Sequence, residues 1–206
     1  LTSAGAIATL AQWQAALRAV TYTNTSETPD TGNRTVSFVV NDGTINSVGS
    51  TQTVSVAAVN DAPLVATSGG TTAFTEGNGV PSVPLAVDAA ITVMDLDSAA
   101  LASASVSITG GFQAAEDMLA FVNDAATMGN ITASYNAATG VLTLASAGAI
   151  ATQAQWQAAL RAVTYLNTSE NPDTTTRTVS FVVNDATSNS TASTKDVSVT
   201  GQNDAP

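Results

Sequence analysis

The side chains able to do chemistry in this chain are almost all carboxylates. Sixteen Asp and Glu stand against five Lys and Arg, and Cys and His are absent. Without Cys or His there is no Cys/His zinc site, no His-ligated haem, no disulfide, no thiol nucleophile and no Ser-His-Asp triad. Two chemistries remain for the acids. One is a glycosidase-type pair, which needs two carboxyl groups roughly 5 to 9.5 Å apart in a cleft. Aromatics make up only 5% of residues, and no pocket-lining cluster supports such a cleft. The other is a hard cation: calcium accepts about 6 to 8 oxygen ligands from carboxylates, amides and backbone carbonyls. The expectation is a chain that is not an enzyme and that binds Ca2+.

Spacing narrows the ligands. Asp95-Leu96-Asp97 follows the strand-like Ile91-Thr92-Val93-Met94. In extended backbone both carboxylates point the same way. Glu76 lies in the turn-like Thr75-Glu76-Gly77-Asn78-Gly79, and Asn60-Asp61 stand just before Pro63. Two like charges ~4 Å apart repel by roughly 4 kcal/mol at an effective dielectric of 20. A site that gathers several therefore needs a cation or raised pKa values. Asp42 and Asp185 each follow Asn at a strand end, where Asx side chains satisfy turns; they are second-choice ligands. Glu116-Asp117 reads as a solvated helix or loop end. The sequons at Asn24 and Asn167 read as loops whose Asn and Ser bond the backbone.

The formal charge of −11 argues against nucleic acid, whose phosphates need clustered Lys and Arg, and against an anionic membrane surface. No stretch approaches the ~18 to 20 consecutive apolar residues of a membrane span, so no membrane insertion is expected. No basic segment followed by an apolar run marks a signal peptide.

Organisation comes from an internal repeat. Residues 1–63 align without a gap on 144–206, an offset of 143, with 48 of 63 positions identical. Asn60-Asp61-Ala62-Pro63 closes the first copy and Asn203-Asp204-Ala205-Pro206 the second. The period is too long for solenoid units of ~20 to 50 residues and suits tandem domains. Because Pro forces the residue before it to be extended, the boundary is placed at 63/64. Residues 64–206 are then one complete repeat, and 1–63 the C-terminal half of a preceding one. The other phase, with 1–143 as one domain, would bury that stop. In the favoured phase 1–63 lacks its partner strands, and 64–143 could pair with either flanking half, which invites domain swapping.

The elements that must hold the carboxylates are mostly short strands. Leu101 to Thr109 alternates, with Val106 and Ile108 on one face and Ser105, Ser107 and Thr109 on the other. Ala90–Met94, Arg177–Val183 and Lys195–Thr200 are further strands. Asn130–Tyr135 and Gly140–Ala145 flank a hairpin turn. Thr9-Leu10-Ala11-Gln12 and Thr152-Gln153-Ala154-Gln155 open helices with a capping box. Trp13, Leu17 and Val20 form an apolar stripe that anchors the helix on a sheet, a better account of Trp13 and Trp156 than sugar stacking. An all-β immunoglobulin-like sandwich with one short helix per repeat follows.

At these residues the chain resembles the cadherin-like, immunoglobulin-like repeats of very large bacterial surface adhesins of the RTX type. The resemblance spans essentially the whole chain. It rests on Thr75-Glu76-Gly77, on Ile91-Thr92-Val93 with Asp95-Leu96-Asp97, and on Gly129-Asn130-Ile131-Thr132. The Ala-Gln-Trp-Gln-Ala-Ala-Leu-Arg-Ala-Val-Thr-Tyr block, Arg-Thr-Val-Ser-Phe-Val-Val-Asn-Asp and Asn-Asp-Ala-Pro extend it. It implies a calcium-stiffened extender module in cell adhesion and biofilm, at the extracellular surface after type I secretion from a Gram-negative cell. Neighbouring repeats of the same chain would be its partners, with a surface glycan or protein as the ligand of the parent adhesin. By that resemblance Asn60 and Asp61 match the cadherin linker, Glu76 the early Glu, and Asp95 and Asp97 the Asp-x-Asp. Ala58 and Ala62 stand where cadherin linkers carry ligands, which implies one ion at most per junction. The alternative is a carbohydrate- or protein-binding sandwich of a secreted protein.

Overall fold

The computed structural model describes residues 1–204, so Ala205 and Pro206 of the closing tetrapeptide lie outside the described residues. The chain divides into two compact units, Leu1–Val59 and Asn60–Pro206. In the first, Thr9 caps helix α1 (Leu10–Arg18). Its hydroxyl accepts from the Gln12 N–H at 3.3 Å, while Gln12 Oε1 accepts from the Thr9 N–H at 2.8 Å. Orphan donors at the helix start are thereby satisfied on both sides. An antiparallel hairpin of β1 (Arg34–Phe38) and β2 (Ser50–Val54) follows, with Arg34 opposite Val54. None of the described side chains of 1–59 is buried.

The second unit holds β3 (Leu64–Ala66), β4 (Thr71–Thr75), β5 (Leu85–Ala86), β6 (Thr92–Met94), β7 (Ala100–Leu101), β8 (Ser103–Gly110) and β9 (Asp117–Ala120). Helix α2 (Ala125–Met128), β10 (Ile131–Asn136), β11 (Val141–Ser146), β12 (Ala151–Thr152), α3 (Gln153–Arg161), β13 (Thr164–Asn167), β14 (Arg177–Asn184) and β15 (Ser193–Thr200) complete it. One layer is a six-stranded sheet in the order β10-β11-β8-β14-β15-β4, antiparallel except for the β15–β4 pair. Three-stranded β5-β13-β9 and the small pairs β3–β6 and β7–β12 form the rest, so the fold is an all-β sandwich. Alternation drives the layering. Val106 and Ile108 of β8, Val179, Phe181 and Val183 of β14 and Leu142 and Leu144 of β11 all turn inward. Phe74 and Tyr165 meet edge to face at 5.2 Å.

Helix α3 repeats the capping box at Thr152 and Gln155 and buries Trp156, Ala159 and Leu160. Trp156 is wholly buried and donates its Nε1–H to Leu101 O at 2.8 Å, the role of an anchor. A second helix, α2, was not anticipated. It is a single turn capped by Asp124, whose carboxylate accepts from the Ala126 N–H and the Thr127 hydroxyl.

The solvated reading of Glu116-Asp117 is corrected for Asp117, which is buried. Its carboxylate accepts from Gln113 N–H at 2.8 Å, Tyr165 Oη at 2.5 Å, Asn167 Nδ2 at 3.0 Å and Arg177 Nε at 2.9 Å. The Arg177 side chain is itself fully buried, and Asp173 Oδ1 and Glu116 Oε2 lie 3.5 and 3.8 Å from its Nη atoms. Arg177 is 60 residues away in sequence, which is why local pattern gave no hint. Burying this pair is tolerable only because both ions are hydrogen-bonded on several sides. Removing one partner strands the other: Arg177→Ala is expected to destabilise the second unit by about 3 to 5 kcal/mol. Urea unfolding checks this, and a loss below about 1 kcal/mol would mean the pair behaves like a solvent-screened one.

Candidate functional site

The expected ligands Asn60, Asp61, Asp95 and Asp97 gather at one end of the second unit. Strand β6 stops at Met94, and the chain turns at once: Asp95 Oδ1 accepts from the Asp97 N–H at 3.1 Å and the Ser98 N–H at 2.8 Å. Side-chain-to-backbone bonding of this kind is what Asx residues do in turns. Gln153, the first residue of α3, braces the turn from behind by donating Nε2 to Asp95 O at 2.8 Å and Ser98 O at 2.7 Å. Asp97 Oδ2 accepts from the Asp61 N–H at 3.0 Å, and Asn60 Nδ2 donates to Asp185 Oδ2 at 2.9 Å. Asp185 Oδ1 in turn takes the N–H groups of Thr187 and Ser188, each at 2.6 Å.

These bonds leave two buried oxygens, Asp95 Oδ2 and Asp97 Oδ1, with no protein partner. Asp95 is 8% exposed. Burial pushes its carboxyl above the ordinary range, and the Asp97 carboxylate adds to the push against the opposing Ser98 and Asp97 N–H groups. Asp185 differs. Burial opposes its charge too, but the Ser188 N–H, the Asn60 amide and the Thr187 N–H outweigh it and hold its carboxyl below the usual range.

Glu76 belongs to a different group. It follows β4 directly, with its N–H bonded to Thr200 O at 3.0 Å. Glu76 Oε2 accepts from the Gln202 N–H at 2.7 Å, whereas Oε1 is buried without a partner and the residue is only 4% exposed. Oxygens of Glu76, Glu170 and Asp204 all lie within 4.8 Å of one another. Asp204 Oδ1 also accepts from the Gly79 N–H, fastening the C-terminal segment to the turn after Glu76. That turn needs glycine at position 77, where a Cβ would collide with the Val80 carbonyl oxygen.

The two groups sit at opposite ends of the sheet. Asp185 precedes β15, whereas Thr200 at its far end pairs with Thr75 beside Glu76. Eight residues of strand at ~3.3 Å each put roughly 25 Å between them. The five expected ligands therefore split four and one. Sequence reasoning missed Glu170 and the brace Gln153, for which no local signal exists. Asp204 was within reach, because Asn203-Asp204 repeats Asn60-Asp61 at the offset of 143. The Glu76, Glu170 and Asp204 group brings three carboxylate oxygens together, one of them from a buried side chain, and such a donor set suits a hard cation rather than a soft one.

No protein-family model matches the chain. It is similar to a segment of Halomucin from Haloquadratum walsbyi (strain DSM 16790 / HBSQ001), at 35% identity over 130 residues. The match covers 62% of this chain and 1% of that protein, so the chain corresponds to about a hundredth of the relative's length. Among the described residues, no helix is long and apolar enough to cross a membrane.

The raised Asp95 carboxyl carries a sign. Below the ordinary carboxylate pKa of about 3.9 the group is protonated folded or unfolded and contributes nothing. Between that value and its raised folded value the unfolded chain gives up the proton first and stability falls, and above the folded value the whole loss persists. Asp95→Asn keeps the Oδ1 acceptor and removes the charge. At pH 7 without divalent cations it is expected to melt above the parent, and the gain should vanish below about pH 4. A thermal-melt series across pH checks this; equal melting at pH 7 would contradict it.

Proposed function

We propose that this chain is a structural extender of a large cell-surface protein, stiffened by calcium where consecutive repeats meet. One observation carries the reading. Each end of the second unit holds acidic side chains with buried, unpartnered carboxylate oxygens, and both ends include the same repeated Asn-Asp pair. In a tandem array that pair is common to the Glu76-type group of one repeat and the Asp95–Asp97 group of the next. Carboxylates of successive repeats then converge on it, and their mutual repulsion is relieved by a divalent cation. The bound ion removes bending freedom at the junction, so the role is mechanical and no catalytic step is assigned. Similarity to a segment of Halomucin is in keeping with a surface location, and the resemblance of the residue pattern to cadherin-like repeats is the support for calcium and adhesion.

Calcium and chelator melts test the reading. Extracellular calcium modules bind with Kd of roughly 10⁻⁴ to 10⁻³ M. At 10 mM calcium a site of that strength should add about 1.4 to 2.7 kcal/mol of stability. Glu76→Gln should remove the part owed to one end, and Asp97→Asn the part owed to the other. Identical melts in calcium and chelator, with unchanged small-angle scattering of a two-repeat chain, would overturn the proposal.

A further inference from the structure

Residues 1–59 carry the makings of a core that they do not use. Every buried residue of 144–204 except Lys195 recurs in the first copy at the offset of 143. In the second unit those residues are buried with the help of 64–143. Trp156 donates to Leu101 O, Arg161 Nε donates to Ile91 O at 2.9 Å, and Gln157 Oε1 accepts from the Val93 N–H at 3.2 Å. Their counterparts Trp13, Arg18 and Gln14 are all present. Yet Val20, Tyr22 and Val40 are 47, 43 and 41% exposed, where Val163, Tyr165 and Val183 are fully buried. Side chains so matched, residue by residue, to buried ones have one obvious complement.

We propose that 1–63 presents a docking face, centred on Trp13, Leu17, Val20, Tyr22, Phe38 and Val40, for a further copy of the 64–143 half-sandwich. Positions 10 and 52 set how well a given half fits. The chain's own 64–143 is already taken by 144–204, which holds it with two contacts that 1–63 cannot make. Lys195 is buried, and its Nζ donates to Ser68 Oγ and Gly69 O, each at 2.9 Å, and to Ser68 O at 3.2 Å. Ser68 in turn is bound by the buried Asp88 carboxylate through its N–H at 2.6 Å and its hydroxyl at 2.8 Å. Gln52 stands at the matching position, one bond shorter and uncharged, and would leave those carbonyls and Asp88 without their cation. Gln153, which braces the Asp95 turn, is matched by Leu10. These two positions therefore act as a key that lets near-identical halves of neighbouring repeats sort into correct pairs. The inference is independent of any cation.

A chain with a second 64–143 segment joined directly ahead of Leu1 tests it. Trp13 and Trp156 are the only two tryptophans, so their indole N–H signals are separable by NMR. In the extended chain Trp13 should gain the slow hydrogen exchange of Trp156, and Leu10→Gln with Gln52→Lys should raise the melting temperature of the added unit. A Trp13 indole that exchanges as fast as in the 206-residue chain overturns the docking face. Unchanged melting in the double variant overturns the key. Should the extended chain aggregate, the 206-residue chain is titrated with labelled 64–143 polypeptide. A 1:1 complex lost in Trp13→Ala supports the face. No complex, or one that survives Trp13→Ala and so reflects displacement of 144–206, overturns it. Dimers of the 206-residue chain in which Trp13 is protected by a second 1–63 segment, and not by residues of 64–143, would overturn the choice of occupant.

Discussion

Asp117 takes four donors inside the sandwich, and two of them, Tyr165 Oη and Arg177 Nε, come from strands of different sheets. An ionised pair in this position is expensive to desolvate, and apolar side chains of the same volume would cost less. What the pair contributes is direction. Hydrophobic faces can slide over one another with little penalty, whereas a carboxylate with four fixed donors tolerates only one alignment of the layers. Tyr135, on the far strand of the large sheet, adds a bond to the Asp117 carbonyl at 3.0 Å. The same guanidinium reaches outward: its Nη1 bonds Asp173 O at 2.9 Å and the Thr175 carbonyl. Glu116 Oε2 meanwhile takes the Asp173 N–H at 3.2 Å. The loop that carries Glu170 toward Glu76 and Asp204 is thus held from inside the core.

Much of the frame was readable before the structure. Period-two alternation located β8 with Val106 and Ile108 inward, and Thr-x-x-Gln located both nine-residue helices with their capping boxes intact. Those signals are local, so a window of ten residues contains them. The two-residue strands β5, β7 and β12 have no such signal, because they exist only where a neighbouring strand happens to pass. Asp117 was misread for the same reason: its burial is decided by Tyr165, Asn167 and Arg177, all distant in sequence. The carboxylates were legible as chemistry and as residue types. Their distribution between two ends was not, since it depends on β15 running the length of the sheet between Asp185 and Gly201.

The repeat contributes twice, once to the site and once to the packing. It carries the same Asn-Asp pair to both ends of the second unit. It also leaves a set of core side chains in 1–59 facing water. Small departures between copies matter more than the identities: Lys195 against Gln52 and Gln153 against Leu10 change which backbone carbonyls find a donor. Ala186 marks another, since it holds a positive φ of 83° where the first copy has Gly43 at 99°. The alanine makes that turn more strained, and the bonds from Thr187 and Ser188 to Asp185 keep it in place.

The parallel pairing of β4 with β15 has a consequence for a chain under tension. Five residue pairs, Thr71–Thr75 against Asp196–Thr200, join these strands. The polypeptide enters the unit at the Asn60 end and leaves it at the Asp204 end. A pull on the two termini therefore draws β4 by its N-terminus and β15 by its C-terminus, in opposite directions along their common axis. Once the short β3–β6 pair yields, the hydrogen bonds between β4 and β15 are loaded together in shear, not peeled one after another. An array built from such units would hold its length until the whole ladder fails at once.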